Sequence, residues 1–244
     1  MGSSDQTQQC KGTVCVTGAS GFLASWLIKH LLDDGYHVRG AVRDPENHEK
    51  AGHLWALPGA SERLELVKGE LLTEGSYDAA VAGCDGVFHA ATAMDFVKSD
   101  PKTEMLDPAI LGTVNVLRSC VKAKVKRVVL TSSSAAVRYR DDLEQPGAKS
   151  DLDESVWSSI PFCTKYQLWY SLAKILAEQE AWKFAFLHSL DLVTVMPSYV
   201  VGPCLSPQLS KTAKDVVNLL NGNSSLIFSL RIMFCISRIF SLGM

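Results

Sequence analysis

The chain has 244 residues, of which 47% are hydrophobic and 20% charged, and its formal net charge is −2. Those figures describe an ordinary globular chain with enough apolar material for one large core, and they offer no basic field for nucleic acid, since no Lys/Arg cluster with interleaved aromatics occurs. Seven cysteines are scattered, odd in number and without a Cys-x-x-Cys pair, which argues against a disulfide framework or a zinc site, so no metal is expected.

The N-terminal stretch is polar and lacks the apolar h-region of a signal peptide, so the cytoplasm is the expected compartment. Thr13-Val14-Cys15-Val16-Thr17 then reads as a strand that stops at the turn Gly18-x-x-Gly21-x-x-Ala24. Beyond it Leu23, Leu27 and Leu31 recur at helical spacing as far as Gly35. A strand, tight turn and helix in that order aim backbone N–H groups and the positive end of the helix dipole at one point. Gly18, Ser20, Gly21, Phe22 and Leu23 are therefore the expected cradle for a dinucleotide pyrophosphate. Alanine at position 24, where a third glycine is usual, still permits close packing of helix on strand.

Tyr36 to Val42 reads as a second strand, and Arg43 follows it. The residue here faces the adenosine ribose: a carboxylate would accept from a free 2′-hydroxyl, whereas a guanidinium pairs with a 2′-phosphate. Arg43, with Lys50 as a second cation, favours NADPH over NADH despite the adjoining Asp44; the alternative for Arg43 is a solvated turn residue. Further units follow: strand Arg63 to Val67, strand Gly86 to Ala90, a helix around Leu111 to Val121, and strand Arg127 to Leu130 running into Thr131-Ser132-Ser133-Ser134. Strands alternating with helices predict an α/β fold with a doubly wound parallel sheet whose carboxyl edge holds the ligands. Ala90, Ala91 and Thr92 sit at that edge and are small enough to let a cofactor pass. His89 reads as a packed strand-end histidine. Tyr139 to Lys165 reads as a long loop, Tyr166 to Phe186 as a helix, and Asp191 to Val195 as a sixth strand ending at Met196-Pro197-Ser198.

Tyr170 and Lys174 lie at i and i+4, so both side chains leave one face of that helix. The pair by itself is commonplace; its position after a strand ending in serines, in a chain that opens on a dinucleotide turn, is specific. Hydride reaching a carbonyl carbon leaves charge on oxygen, which then needs a proton and a hydrogen-bond donor. Tyrosine is a weak acid, with an ordinary pKa of about 10. A lysine cation beside it favours the phenolate and so eases proton exchange, and its ammonium also suits ribose hydroxyls. Tyr170 is assigned as proton donor, Lys174 as its tuner and ribose ligand, and a serine of the strand end as polariser of the substrate oxygen.

Gly-x-x-Gly-x-x-Ala, Arg43-Asp44-Pro45, Thr131-Ser132-Ser133, Tyr170-x-x-x-Lys174 and Val200-Val201-Gly202-Pro203 together resemble the plant extended short-chain dehydrogenase/reductases, which include dihydroflavonol, cinnamoyl-CoA and tetraketide α-pyrone reductases. The resemblance runs from about Lys11 to Gly222. It implies an NADP-binding Rossmann fold and a small-molecule carbonyl substrate. It also implies Ser133 as the catalytic serine, Arg43 and Lys50 on the 2′-phosphate, and further cofactor contacts from Glu70, Leu71 and Pro197. Glu70 stands where the family usually has aspartate. Arg138, five residues past Ser133, falls where dihydroflavonol reductases carry an asparagine-type specificity residue, and Leu168-Trp169-Tyr170-Ser171-Leu172-Ala173-Lys174 departs from the cinnamoyl-CoA reductase pattern. Ser132 to Arg138 and Trp182-Lys183-Phe184 look most like the tetraketide α-pyrone reductases, which reduce a polyketide ketone in sporopollenin synthesis. Arg138 is a candidate substrate contact, with a solvated loop cation as the alternative. A dihydroflavonol or cinnamoyl-CoA/aldehyde reductase, a nucleotide-sugar epimerase, and a non-catalytic NADP-binding isoform stay open as alternatives.

The resemblance divides the chain into a polar tail (1–11), an NADP-binding domain (12–197), the start of a substrate-binding domain (198–222) and a divergent hydrophobic tail (223–244). Two arginines, Arg231 and Arg238, cost a membrane span about 5–7 kcal/mol against about 0.3–0.6 gained for each strongly apolar residue, so no stable span is expected. An amphipathic surface helix, with loose association at the endoplasmic reticulum, is one reading of this tail. A replaced C-terminal domain, leaving a short form of low solubility and weak activity, is the preferred one.

Overall fold

The computed structural model describes residues 10–93, 99–141 and 156–222, and the backbone of 234–236. In chain order the elements are β1 (Thr13–Thr17), α1 (Phe22–Asp33), β2 (His37–Val42), α2 (His48–Trp55), α3 (Ala60–Arg63), β3 (Leu64–Lys68), α4 (Asp78–Val81), β4 (Gly86–His89), α5 (Asp107–Ala123), β5 (Arg127–Thr131), α6 (Ile160–Lys165), α7 (Trp169–His188), β6 (Leu192–Val195), β7 (Tyr199–Val201), α8 (Lys211–Leu220) and β8 (Phe234–Ile236).

Six strands form one sheet in the order β3-β2-β1-β4-β5-β6. Every pairing in it is parallel. The order reverses between β1 and β4, and such a reversal opens a crevice at the carboxyl ends of the strands. Thr17 and His89, the last residues of those two strands, are register partners there.

Alternation along the strands sends side chains to two separate cores. Val14 and Val16 of β1 pack with Leu27, Ile28, Leu31 and Leu32 of α1, whereas Cys15 packs with Val116, Leu117 and Cys120 of α5. Each such leucine, fully buried, contributes roughly 1.5–3 kcal/mol, so both helix layers are clamped to the sheet along their length. A third cluster joins Ala136 and Cys163 to Leu172 and Ile175 of α7, and it seats the first half of that helix under the loop after β5.

The boundaries differ from the sequence-based expectations where local chemistry is special. α5 starts at Asp107, earlier than expected, because a π-helical turn at Lys102–Leu106 leads into it and Pro108 lies in its first turn, where a missing N–H costs nothing. The segment expected as a loop to Lys165 contains α6, capped by Ser159, whose hydroxyl accepts from the Phe162 N–H at 3.2 Å. α7 begins at Trp169 instead of Tyr166, since Gln167 takes a left-handed conformation at φ 53° and separates the two helices. Residues 142–155 lie outside the described residues.

After β6 the chain returns to α1: Trp26 Nε1 donates to the Pro203 carbonyl at 2.8 Å. The Tyr199 hydroxyl donates to Asp215 at 2.6 Å and ties β7 to α8. Phe234–Ile236 pairs with β7 as a parallel strand, so this piece of the hydrophobic tail is not the surface helix considered from sequence. The rest of 223–244 lies outside the described residues, and among those described no helix is long and apolar enough to cross a membrane.

Candidate active site

The turn between β1 and α1 is built from backbone. Gly18 has φ +66°, and a Cβ there would lie 2.9 Å from the Ala91 Cα, so the approach of the β4 loop requires glycine. Its carbonyl accepts from the Gly21 N–H at 2.8 Å, closing the turn. Gly21 caps α1 without a side-chain hydrogen bond, and the first turn holds no acidic residue. The first-turn N–H groups, including those of Phe22 and Leu23, have no intrahelical acceptor, and the helix dipole adds positive potential at the same place. The turn fits a pyrophosphate in both shape and charge.

Arg43 follows β2 directly and Lys50 lies in the first turn of α2, whose cap is Asn47. Both side chains are exposed, and neither joins an ion pair among the described residues. Cations with no ion pair among the described residues suit a phosphate better than a hydroxyl. Glu70 is exposed, with its backbone N–H donating to Ser76 Oγ at 2.5 Å. Leu71 packs against Gly112 and its carbonyl accepts from Asn115 at 2.9 Å.

Polar groups gather at the ends of β1, β4 and β5, and α7 bonds to those that follow β4 and end β5. Thr17 Oγ1 accepts from the Ala91 N–H at 3.0 Å and lies 2.8 Å from His89 Nδ1. His89 is 1% exposed; burial first, and then the Lys174 charge, lower its pKa to about 3, so it is a neutral member of the network. Its Nε2 has no hydrogen-bond partner among the described residues.

Lys174 Nζ donates to Thr92 Oγ1 at 2.9 Å and to the Thr131 carbonyl at 3.2 Å. An ammonium has three protons, so one is left for a further acceptor such as a ribose hydroxyl. Desolvation lowers the Lys174 pKa to about 8, partly offset by Glu178. Glu178, 2% exposed and one turn further along α7, accepts a short hydrogen bond from Ser132 Oγ.

Ser133 Oγ accepts from the Ala135 N–H at 3.2 Å, which leaves its own proton for an external oxygen. Backbone bonds hold this serine turn to the end of β6: Ser132 N–H donates to Val195 O at 2.8 Å and Ser134 N–H to Pro197 O at 3.0 Å. Ser158 braces it from behind, its hydroxyl donating to Ala135 O at 3.0 Å and accepting from the Tyr139 N–H at 2.9 Å. Tyr170 lies in the first turn of α7, 39% exposed, with no hydrogen bond to its hydroxyl among the described residues. Arg138 is exposed and folded over its neighbour, its guanidinium carbon 4.7 Å from the Tyr139 ring centre and one nitrogen bonded to the Tyr139 hydroxyl.

Thr17, Ser158, Ser132 and Glu178 were not singled out from sequence. Glu178 had a signal: it continues the i, i+4 series Tyr170, Lys174, Glu178 on one stripe of a helix whose neighbouring residues Ala177 and Ala181 are small.

Residues 14–229 match the model of the NAD dependent epimerase/dehydratase family, which reaches past the point where the recognisable motifs end. The chain is 58% identical over 217 residues to tetraketide alpha-pyrone reductase 1 of Arabidopsis thaliana, covering 88% of this chain and 66% of that protein. It is 49% identical to cinnamoyl-CoA reductase CAD2 of Medicago truncatula, covering 86% of this chain and 64% of the relative. Among solved structures, vestitone reductase from alfalfa superposes with a TM-score of 0.71 at 36% identity, over 86% of this chain and 64% of that one. The yeast methylglyoxal/isovaleraldehyde reductase Gre2, complexed with NADPH, superposes with a TM-score of 0.67 at 30% identity, over 79% of this chain and 59% of its own. The chain spans about two thirds of the length of the curated relatives it matches.

Proposed function

We propose that this chain, which belongs to the NAD dependent epimerase/dehydratase family, is an NADPH-dependent carbonyl reductase acting on a ketone of a polyketide α-pyrone. The observation that carries the reading is Lys174, whose ammonium is bonded to both Thr92 and Thr131 at the carboxyl edge of the sheet, which supports a role for the α7 stripe that also bears Tyr170. The 58% identity to a tetraketide alpha-pyrone reductase supports the substrate class. Two cations without acidic partners among the described residues, Arg43 and Lys50, support the 2′-phosphorylated cofactor.

Gly18 and the α1 N-terminus would hold the pyrophosphate, Arg43 and Lys50 the 2′-phosphate, and the third Lys174 proton a ribose hydroxyl. Bound nicotinamide supplies the hydride. Ser133 donates a hydrogen bond to the carbonyl oxygen and stabilises the charge that grows there. Tyr170 delivers the proton, and a positioned acid of this kind contributes about 10²–10⁴-fold. Lys174 acts in its cationic form, which favours the phenolate left behind. Arg138 would meet substrate only by leaving Tyr139.

The test is NADPH oxidation by the 244-residue chain across a pyrone ketone, a dihydroflavonol, a hydroxycinnamoyl-CoA and a simple aldehyde, with NADPH binding followed by fluorescence. Highest kcat/KM on the pyrone is expected. Preference for another carbonyl would move the substrate class, and binding without turnover of any would make the chain a dinucleotide-binding protein.

A further inference from the structure

A buried carboxylate is costly unless its oxygens are well bonded, and Glu178 has one hydrogen bond among the described residues, from the hydroxyl of Ser132. Its neighbour on the helix stripe has the reverse difficulty. Lys174 is a half-buried cation whose two bonded partners, the Thr92 hydroxyl and the Thr131 carbonyl, are both neutral. We propose that Glu178 is a positioning residue acting through Lys174: its carboxylate, fixed by Ser132, holds the ammonium in its charged form at the sheet edge. Ser132 and Ser133 then have different tasks despite their adjacency, one bonded inward to the anchor and the other keeping its proton for the substrate.

The surroundings leave Glu178 as the charge that matters. His89, facing Lys174 from β4, is neutral above about pH 3, and Thr17, Thr131, Ser132 and Ser133 at the ends of β1 and β5 carry no charge. Tyr170 is the remaining ionisable group on the stripe, and Asp107 and Glu180 border a separate groove between α5 and α7. Burial lowers the Lys174 pKa to about 8, and Glu178 is the charge that opposes the shift.

That Lys174 serves carbonyl reduction rests on the function proposed above; the anchoring itself does not, and the experiment keeps the two apart. Trace acetylation of the 244-residue chain over pH 6–11, with the Lys174 peptide quantified by mass spectrometry, reads the titration of this one amine without any turnover. In the unmodified chain Lys174 reactivity should inflect near pH 8. In Glu178→Gln, which keeps an acceptor for Ser132, the inflection should fall by about 1 unit, since the loss of an opposite charge one helical turn away disfavours the ammonium. Ser132→Ala should shift it in the same direction by less. An unchanged inflection in folded Glu178→Gln overturns the proposal, and if that variant does not fold, an unchanged inflection in Ser132→Ala does so. In parallel, the alkaline limb of kcat/KM on the pyrone should move down with the amine. A limb that stays put while the amine shifts separates the anchor from catalysis and rejects the role of Lys174, and a chain that turns nothing over rejects the reductase reading while the acetylation arm still decides the anchor.

Discussion

The phosphate turn after β1 and the reacting edge after β5 solve the same problem, placing polar groups at the carboxyl end of a parallel sheet, with different materials. The turn is made of main chain: Gly18 at φ +66°, the Gly21 to Gly18 bond of 2.8 Å, and the open N–H groups of α1. The edge is made of side chains drawn from β1, β4, β5 and α7, and it is tied through Thr17, His89, Thr92, Ser132, Lys174 and Glu178. A main-chain site depends on which residues are absent, and a side-chain site on which are present. Loss of function should therefore take opposite forms in the two regions.

The largest effect sharpens that contrast at the edge. Removing the phenolic proton in Tyr170→Phe should lower kcat by about 10²–10⁴-fold and leave NADPH fluorescence binding nearly unchanged, since the hydroxyl of this exposed residue has no hydrogen-bond partner among the described residues and is lost at little structural cost. Near-native turnover would remove Tyr170 from the chemistry. At the turn the converse is expected. Gly18→Val puts a branched side chain where even a Cβ lies 2.9 Å from Ala91 Cα, in a left-handed conformation, so NADPH affinity should fall by about 2–4 kcal/mol, with a lower Tm. Retained affinity would show that the turn does not hold the pyrophosphate. Arg43→Ala should cost NADPH about 1.5–3 kcal/mol of binding and NADH almost nothing, as expected for one charge-assisted contact to a 2′-phosphate. Equal weakening of the two cofactors would return Arg43 to a solvated turn residue.

The same contrast governs how far the molecule could be read from its residues. Glycine spacing and strand periodicity are local, so β1, the turn, α1 and the alternation that winds the sheet were all legible, and so were Tyr170 and Lys174 at i and i+4. Contacts between distant residues were not. Nothing near Ser132 announces that it bonds to Glu178, 46 residues on, or that Thr92 meets Lys174 across 82. Such pairings are decided by sheet order and helix seating, which exist only once both cores have formed. The same holds for α6 and the start of α7: Gln167, with a positive φ and no glycine to signal it, splits what periodicity read as loop and helix. Arg138 was named from its position in a motif, yet its guanidinium is bonded to the adjacent Tyr139, a choice that spacing does not reveal.

The smallest effect tests whether the edge network also steadies the fold. His89 has an ordinary pKa of 6.5 and a folded-state value of about 3, from burial first and the Lys174 charge second. Between those values the unfolded chain binds a proton that the folded chain refuses. Stability is therefore fully present above about pH 6.5 and declines as pH falls toward 3, by about 1.4 kcal/mol per pH unit where one proton separates the two states. The hydrogen bonding points the same way. Thr17 Oγ1 already accepts from Ala91, so its own proton is best given to His89 Nδ1, and protonating that nitrogen would place two hydrogens between the same atoms. His89→Gln retains a polar side chain for Thr17 and removes the titration. Urea unfolding at pH 4.5, 5.5 and 6.5 should then show a shallower acid dependence, by about 1.4 kcal/mol per unit, with little change at pH 7.5. Equal slopes in the two proteins would mean that His89 is protonated without penalty and that its bond to Thr17 does not steady the fold.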